Sequence, residues 1–470
     1  MELHKALKVR IYPTEAQKLM IAKTIGCCRK AYNETLARRN AFYKENISNK
    51  EKELGQKMTK EQKSKILKQF NVTAKILRED FEFMKEVSSD SETRSILDLD
   101  TAFKKFFKHE AGFPRKHKRG RKESFYNKGA LGGGIKFNPD LKKLFVVKLG
   151  WIKFRCSKYP EWFTGGNPVL KSITTSRTPS GKYYASVSFQ LNVPDFQKEF
   201  TNPEKTIGLD FSPADMYFDS EGRSAKTDFG YVAQKQRMQR RMTMLQRRLK
   251  RKKRGSRAYL KAKTAIAKLH EKIAARRDDW QNKETRRLVD NYQVIGVEDL
   301  NLKGLMRASR NAKNYGDAGW GRFVTKLEQK SIERNCRVVK IGRFFPSSKL
   351  CHHCGTKNDE LKLSDRKWFC PNCGELLPRD VNAAQNIKAE AVRMVESGEY
   401  KDVKPKPSKN RFKKKSQPET DGVNNVPVSD GEVKPVESTN ECQATPAGVY
   451  GSEFDETGTR LSTSDRCNIL

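Results

Sequence analysis

No apolar run in this 470-residue chain approaches the roughly 20 residues that a membrane-spanning helix needs. The N-terminus lacks the apolar core of a secretory signal peptide. A disulfide framework is also unsupported, because only four of the ten cysteines are evenly spaced and the others are scattered. These absences argue against a membrane or secreted protein, and we expect a cytoplasmic protein in a reducing compartment.

Acidic residues are scarce relative to basic ones. The chain has 96 Lys and Arg against 56 Asp and Glu, a formal net charge of +40. A positive field of this size favours a polyphosphate partner, and a merely soluble, supercharged surface is the alternative. Between Lys235 and Lys263, 14 of the 29 residues are basic and none is acidic, so this segment should lie against nucleic acid. A nuclear-targeting or heparin-type patch is the other interpretation of that segment.

A second basic segment, at 104–128, is interleaved with aromatic residues. Basic and aromatic side chains together can neutralise phosphates and stack bases, and a solvated charged loop is the alternative. The candidate nucleic-acid-binding residues of the two segments are Lys104, Lys105, Lys108, Arg115, Lys116, Lys118, Arg119, Arg121, Phe125, Tyr126, Arg240, Arg241, Arg247, Arg248, Arg251, Lys252, Lys253 and Arg254.

Three acidic residues stand where an apolar run would not normally place a charge. Asp210 ends a predicted buried strand at 206–211, Glu298 follows the apolar strand 294–297, and Asp380 opens the helix-like run 381–387. Two divalent metals roughly 3.5–4 Å apart, held by carboxylates, are what an RNase H-like phosphodiester hydrolase needs. A single acid of this kind is usually a turn residue or a helix cap. Three in this order, with a zinc motif between the second and third, favour the metal site.

The zinc motif is a quartet of cysteines. Cys351 and Cys354 form one CxxC pair, and Cys370 and Cys373 form another after fifteen residues, which is the spacing of a zinc ribbon. Four thiolates leave no open coordination position, so this Zn²⁺ should be structural. Ligation by one of the neighbouring histidines, or an iron–sulfur site at the same spacing, are the alternatives.

Hydrophobic periodicity predicts an α+β multidomain protein. We predict a small β-barrel whose first strand is 3–12, with helices over 14–44, 53–83 and 92–109 inserted into it and further strands at 146–155 and 169–192. A three-stranded meander should follow at 206–227, then a basic helix broken at Gly255-Ser256, a helix over 314–336 and a strand at 337–341. Residues beyond 400 are polar and poor in large apolar side chains, and should form a disordered tail.

On these residues the chain resembles TnpB (OrfB), the nuclease encoded by compact bacterial and archaeal insertion sequences. The smallest type V CRISPR effectors are relatives of that family. The resemblance runs from the first strand to about residue 396. It rests on Tyr12-Pro13, Gly26-Cys-Cys-Arg29, Gly208-Leu-Asp-Phe-Ser212, Gly296-Val-Glu-Asp-Leu-Asn-Leu-Lys-Gly304, Phe345-Pro-Ser-Ser-Lys349, the cysteine quartet with Leu363-Ser-Asp-Arg366 inside it, and Arg379-Asp-Val-Asn-Ala-Ala384.

The resemblance implies an RNA-guided DNA endonuclease that cleaves double-stranded DNA beside a short flanking motif at a single RuvC site. Asp210, Glu298 and Asp380 match the family's catalytic carboxylates, which hold two Mg²⁺. The implied partners are a guide RNA from the element itself and a target DNA duplex, and a monomer is expected. The implied domains are a wedge β-barrel (1–13 and 111–200), an inserted helical recognition module (14–110), a RuvC nuclease domain (201–345 and 378–400), a zinc ribbon that binds the target nucleic acid (346–377) and the disordered tail (401–470).

The chain departs from the family at one motif. Many relatives read His-Asp-Arg-Asp before Val-Asn-Ala-Ala, whereas this sequence reads Leu377-Pro378-Arg379-Asp380 and keeps only the second, catalytic acid. Three other functions stay open at this point: a compact type V CRISPR effector, a non-catalytic zinc-ribbon nucleic-acid-binding protein, and a strand-joining transposase. The non-catalytic alternative predicts that the three acids lie far apart.

Overall fold

The structure, a computed structural model, describes residues 2–120, 123–129, 134–193, 200, 202–225, 231–308, 312–362 and 364–400, with the backbone alone at 231–236 and 308. The candidate residue Arg121 and the predicted tail at 401–470 lie outside the described residues. Within the described part of the chain, no helix combines the length and apolar character that crossing a bilayer requires.

The chain begins with a strand and a long capped helix, as predicted. Strand β1 (Glu2–Tyr12) alternates exposed and buried residues for most of its length. The Thr14 hydroxyl then accepts the Gln17 amide at 3.3 Å, and the Gln17 side chain accepts the Thr14 amide at 3.0 Å. This capping box satisfies amides that the first helical turn would leave unpaired. It starts helix α1 (Glu15–Tyr43), which runs through a π-helical segment, Lys44–Asn49, into α2 (Lys50–Glu53).

The predicted single helix over 53–83 is wrong. The structure has α3 (Lys60–Gln69), α4 (Ala74–Asp80) and a 3₁₀ turn (Glu82–Glu86) instead. Thr59 and Thr73 have extended backbones, and their hydroxyls accept the first free amides of the next helix, so each one begins a new helix. Helix α5 (Ser89–Phe107) completes this set and packs along α1.

After α5 the chain returns to the sheet that contains β1. The strands are β2 (Ser124–Lys128), β3 (Ile135–Asn138), β4 (Lys143–Val146), β5 (Gly150–Arg155), β6 (Val169–Arg177) and β7 (Tyr183–Asn192), with a short helix α6 (Glu161–Thr164) between β5 and β6. All pairs are antiparallel, in the order β2-β6-β7-β1-β5-β4-β3, and the sheet curls into a half-barrel. Its apolar core includes Val9, Ile152 and Val187.

A second sheet carries the first two candidate acids. Strands β8 (Thr206–Ser212), β9 (Met216–Asp219), β10 (Val294–Glu298) and β11 (Arg337–Ile341) pair in the order β11-β10-β8-β9. Strands β8, β10 and β11 are parallel, and β9 runs antiparallel to β8. Residues 226 and 227 of the predicted third strand lie outside the described residues, and the described part of it makes one isolated bridge, between Phe218 and Ser224. The Asp219 carboxylate accepts the amides of Glu221 and Arg223, which forms a tight turn before this bridge.

Helices α7 (Tyr231–Lys250) and α8 (Arg257–Asn291) form the basic hairpin, and the break predicted at Gly255-Ser256 is confirmed. Gly255 has a φ of 80°, and the Ser256 hydroxyl caps α8. The predicted helix over 314–336 is wrong as a single element, because Gly319 adopts a left-handed conformation and divides it. The remaining elements are α9 (Leu302–Ala308), α10 (Ala312–Ala318), α11 (Trp320–Ser331), the hairpin strands β12 (Lys367–Phe369) and β13 (Leu376–Pro378), and α12 (Arg379–Glu396).

Candidate active site

Two of the three candidate acids lie at the same edge of the second sheet. Strand β10 pairs in parallel with β8 in a register that matches Val297 with Leu209. The next position on each strand is therefore Glu298 beside Asp210. Both side chains are half-buried, at the carboxyl ends of strands whose preceding residues are fully buried. In open α/β sheets this edge is where ligands usually bind.

The third acid is brought to this edge by helix α12, which lies directly on β8 and β10. A Cβ atom added to Gly208 would lie 1.9 Å from the Ala384 carbonyl oxygen, and one added to Gly296 would lie 2.9 Å from the Ala391 Cβ. Only glycine permits backbones to approach this closely. Because Asp380 is in the first turn of α12, this packing fixes its carboxylate relative to those on the strands.

The electrostatics of Asp210 indicate that this carboxyl group is close to both other acids. Burial raises the pKa of Asp210 well above its usual value, and the charges of Glu298 and Asp380 raise it further. The positive charge of Arg379 and a hydrogen bond from the Phe211 amide oppose this rise. A carboxyl group next to two like charges favours protonation or a cation.

Side chains around the acids orient two of the carboxylates. The Ser347 hydroxyl donates to Glu298 Oε1 at 2.6 Å. Arg379 contacts Asp380 Oδ1 at 3.1 Å. Arg366 reaches Asp380 Oδ2 at 3.3 Å from the segment 350–378 that carries the four cysteines, called the cysteine hairpin below. Residue-by-residue reasoning did not single out Ser347 or Arg366, although both lie within motifs that carried the family resemblance.

The donor set fits hard divalent cations, because carboxylate oxygens are the ligands that Mg²⁺ prefers. The three acids do not form a group whose donor atoms all lie within 4.8 Å of one another; in the described residues only the cysteine quartet does. A pair of ions roughly 3.5–4 Å apart extends beyond a single coordination sphere. Three acids that bind two ions therefore do not need to have all their donor oxygens within one coordination sphere.

The cysteine quartet forms a compact cluster of sulfur atoms. The Sγ atoms of Cys351 and Cys373 lie 3.6 Å apart and those of Cys354 and Cys370 lie 3.5 Å apart. A tetrahedral Zn²⁺ with bonds of ~2.3 Å would separate its sulfurs by about 3.8 Å, so the cluster fits that ion. A hydrogen bond with the Thr356 hydroxyl is the main reason why the pKa of Cys354 falls to about 5, which favours the thiolate that zinc binds.

Hydrogen bonds join the cysteine hairpin to α12 at Asn382, two residues after Asp380. The Asn382 side chain accepts the His352 amide at 3.0 Å and donates to the Leu350 carbonyl at 2.7 Å. The His352 ring also lies 3.0 Å from the same Asn382 oxygen, so this ring is engaged away from the sulfur cluster. These hydrogen bonds therefore hold the cysteine hairpin against α12, the helix that carries Asp380.

Comparison with known families supports the family resemblance that the sequence motifs indicate. Residues 187–309 match the OrfB_IS605 family, described as "Probable transposase", and residues 320–387 match the "Cas12f1-like, TNB domain". A Streptomyces pristinaespiralis protein named "Putative RNA-guided DNA endonuclease" is 30% identical over 391 residues, which is 83% of this chain and 89% of that protein. The chain belongs to the TnpB (OrfB) family.

The chain is also similar to a second relative and to a solved structure. The Escherichia coli protein "Putative RNA-guided DNA endonuclease InsQ" is 29% identical over 84% of this chain and 94% of its own. The solved "Cryo-EM structure of the Cas12f1-sgRNA-target DNA complex" aligns with a TM-score of 0.45 at 14% identity, covering 82% of this chain and 99% of that one. Residues 1–48 match a family described as "Helix-turn-helix domain", yet here the described part of that range is a strand followed by helical segments.

The predicted nucleic-acid-binding residues of this TnpB family member are mostly on the surface. Those at 104–119 and 240–254 are exposed, and the buried Met238 and Met242 of α7 pack against Leu269 of α8 so that the basic faces point outward. The prediction that Phe125 binds nucleic acid is wrong. This side chain is only 4% exposed and belongs to the core of the curled sheet, because strand alternation turns it inward and leaves Tyr126 half-buried beneath the Arg94 guanidinium.

Proposed function

We propose that this TnpB-family chain is an RNA-guided DNA endonuclease whose single hydrolytic site is formed by Asp210, Glu298 and Asp380. The observation that carries the proposal is the convergence of two parallel strand ends and one helix start, with the pKa of Asp210 raised by both other acids. The second sheet with α12 corresponds to the RuvC domain at 201–345 and 378–400. The curled sheet corresponds to the wedge at 1–13 and 111–200, with the recognition module at 14–110.

The three acids would hold two Mg²⁺ ions, which activate water for in-line attack on the phosphodiester and neutralise charge on the leaving oxygen. Asp210, whose pKa is raised by the charges of both other acids, would be one of the residues that hold these ions. Ser347 fixes the orientation of the Glu298 carboxylate through its 2.6 Å hydrogen bond. The product strand would carry a 5′-phosphate.

Arg366 and Arg379 orient the Asp380 carboxylate. Their contacts, at 3.1–3.3 Å, occupy both oxygens of the carboxylate. Arg366 is 72% exposed, so it can release Asp380 at little cost and turn to a DNA phosphate instead. Arg379 is buried more deeply and should remain beside the carboxylate.

The basic surfaces would bind the guide RNA and the target. The α7–α8 hairpin presents Arg247, Arg248 and the 251–254 turn to solvent, and the 104–119 segment presents a second basic surface. Pairing with the guide then supplies sequence specificity, while the protein reads a short flanking motif, the division of labour known for RNA-guided enzymes. Cys351, Cys354, Cys370 and Cys373 would hold a structural Zn²⁺, and the protein would act as a monomer with RNA encoded by its own element.

The test is to purify the chain with its co-expressed RNA, sequence that RNA, and offer DNA duplexes that match or do not match its guide portion. Mg²⁺-dependent cleavage of the matched duplex alone is the expected result. Binding without cleavage would support the non-catalytic alternative, and joined strands would support a transposase. Guide repeats typical of a CRISPR array, in place of a transposon end, would identify a type V effector.

A further inference from the structure

One aromatic side chain, in the loop between β11 and Ser347, is almost fully exposed to solvent. Phe344 is 93% exposed, whereas the other exposed large apolar side chains of the described residues reach at most 67%. Single apolar residues on a surface are common and need no explanation by themselves. The position of Phe344 is what distinguishes it.

Both ends of the loop that carries Phe344 are anchored to Glu298. Ile341, the last residue of β11, pairs in register with Glu298, and Ser347 donates a hydrogen bond to the Glu298 carboxylate. Phe344 is three residues from each of these anchors. At no more than ~3.6 Å per residue, its Cα lies within about 11 Å of both.

The same loop is held rigidly on either side of Phe344. Arg343 contacts the Asp299 carboxylate at 2.7 Å and the Asp299 carbonyl at 3.2 Å. The Phe345 amide donates to the Gly342 carbonyl at 3.1 Å, and Asn386 of α12 donates to the Ser347 carbonyl at 2.8 Å. A phenyl ring is therefore presented to solvent from a fixed backbone, and ordering it on binding would cost little further entropy.

We propose that Phe344 stacks on an unpaired base of the strand being cut and so positions the scissile phosphate over Asp210, Glu298 and Asp380. A fixed aromatic ring beside basic side chains is the arrangement that proteins use to bind single-stranded nucleic acid. The inference rests on the proposed function, and it assigns a substrate contact within a few nucleotides of the cleavage position. Arg366, which is 72% exposed in its ion pair with Asp380, would turn to an adjacent phosphate, while Arg343 stays paired with Asp299 and holds the loop.

The experiment scans the matched DNA with single abasic nucleotides around the cleavage position and measures single-turnover cleavage by the protein–RNA complex. For the unaltered protein, one position should lower the rate about 5- to 100-fold, the loss expected for one stacked base. Phe344→Ala should lower the rate on intact DNA by a similar factor and abolish the extra sensitivity at that position. Phe344→Trp should restore both, and Phe344→Leu, which is apolar but has no aromatic face, should not.

Two controls separate the possible failures. Phe369→Ala removes a phenylalanine that is 67% exposed in the cysteine hairpin, and it should keep the position-specific response. Cleavage by the unaltered protein with a flat abasic scan, or an unchanged scan in Phe344→Ala, would overturn the stacking role and leave the proposed function intact. Absence of any guide-dependent cleavage would overturn the proposed function, and the stacking role with it. Because Phe344 is exposed, an unchanged urea midpoint should verify that Phe344→Ala folds.

Discussion

Replacing Gly208 with alanine should separate α12 from the sheet and damage the site without touching any acid. The new Cβ would lie 1.9 Å from the Ala384 carbonyl oxygen and 2.6 Å from the Lys388 amide nitrogen, both backbone atoms that no rotamer change can move. An ordinary contact begins near 3.4 Å, so the helix must retreat by about 1.5 Å. Overpacking of this kind costs about 1–3 kcal/mol. A misplacement of about 1 Å near a reacting group can cost ~10²-fold in rate.

The assay compares Gly208→Ala with Gly342→Ala, whose Cβ would meet nothing within 4 Å. Urea unfolding should show a lower midpoint for the first variant alone, and guide-dependent cleavage should fall by about two orders of magnitude in the first variant alone. If Gly208→Ala is as stable and as active as Gly342→Ala, then the contact between β8 and α12 does not position Asp380, and the geometric argument for the site is refuted.

Three further predictions concern charge and metal. Since the folded state raises the pKa of Asp210, stability in the absence of Mg²⁺ should be lost as pH rises above the unfolded value of about 3.9. Asp210→Asn should therefore raise the free energy of unfolding, measured with urea at pH 8, by about 1.4 kcal/mol for each unit by which the pKa is raised, and give no gain at pH 4. An equal effect at both pH values would contradict this. Cys354→Ser should release zinc and speed hydrogen exchange at 351–378, whereas Cys156→Ser, outside the quartet, should do neither; unchanged zinc content would contradict it. Replacing both Arg247 and Arg248 with alanine should make the salt dependence of RNA binding shallower by about 1.4 in log–log slope, at ~0.7 per phosphate contact, and an unchanged slope would show that they do not contact RNA.

The site elements were predictable because their signals are local. An acid at the end of a short apolar strand, and two CxxC pairs, can be read from neighbouring residues, and β8, β10 and the sulfur cluster formed where expected. The distances between the three acids are harder to predict from the sequence. They depend on Gly208 and Gly296, whose closeness to α12 is a tertiary property that no local pattern reveals.

The wrong predictions also have identifiable causes. The helix over 53–83 followed an apolar stripe and overlooked the capping box at Thr59 and Gln62, a signal that is present in the sequence. Phe125 was assigned to a surface because its neighbours are basic, although it occupies an inward position on β2. The pairing of β2 with β6, distant along the chain, decides that orientation.

The central claim is that Asp210, Glu298 and Asp380 act as one hydrolytic unit. It is tested most directly by single-turnover cleavage of guide-matched DNA with Asp210→Asn, Glu298→Gln, and the two combined, each as a protein–RNA complex. Asp279→Asn, in an exposed ion pair on α8, is the matched control and should cleave normally. Each single active-site change should lower the cleavage rate to a small but measurable residual while RNA and DNA binding persist, and the double variant should be no slower than the slower single variant. Cleavage by Asp210→Asn at the rate of the unaltered protein would contradict the account.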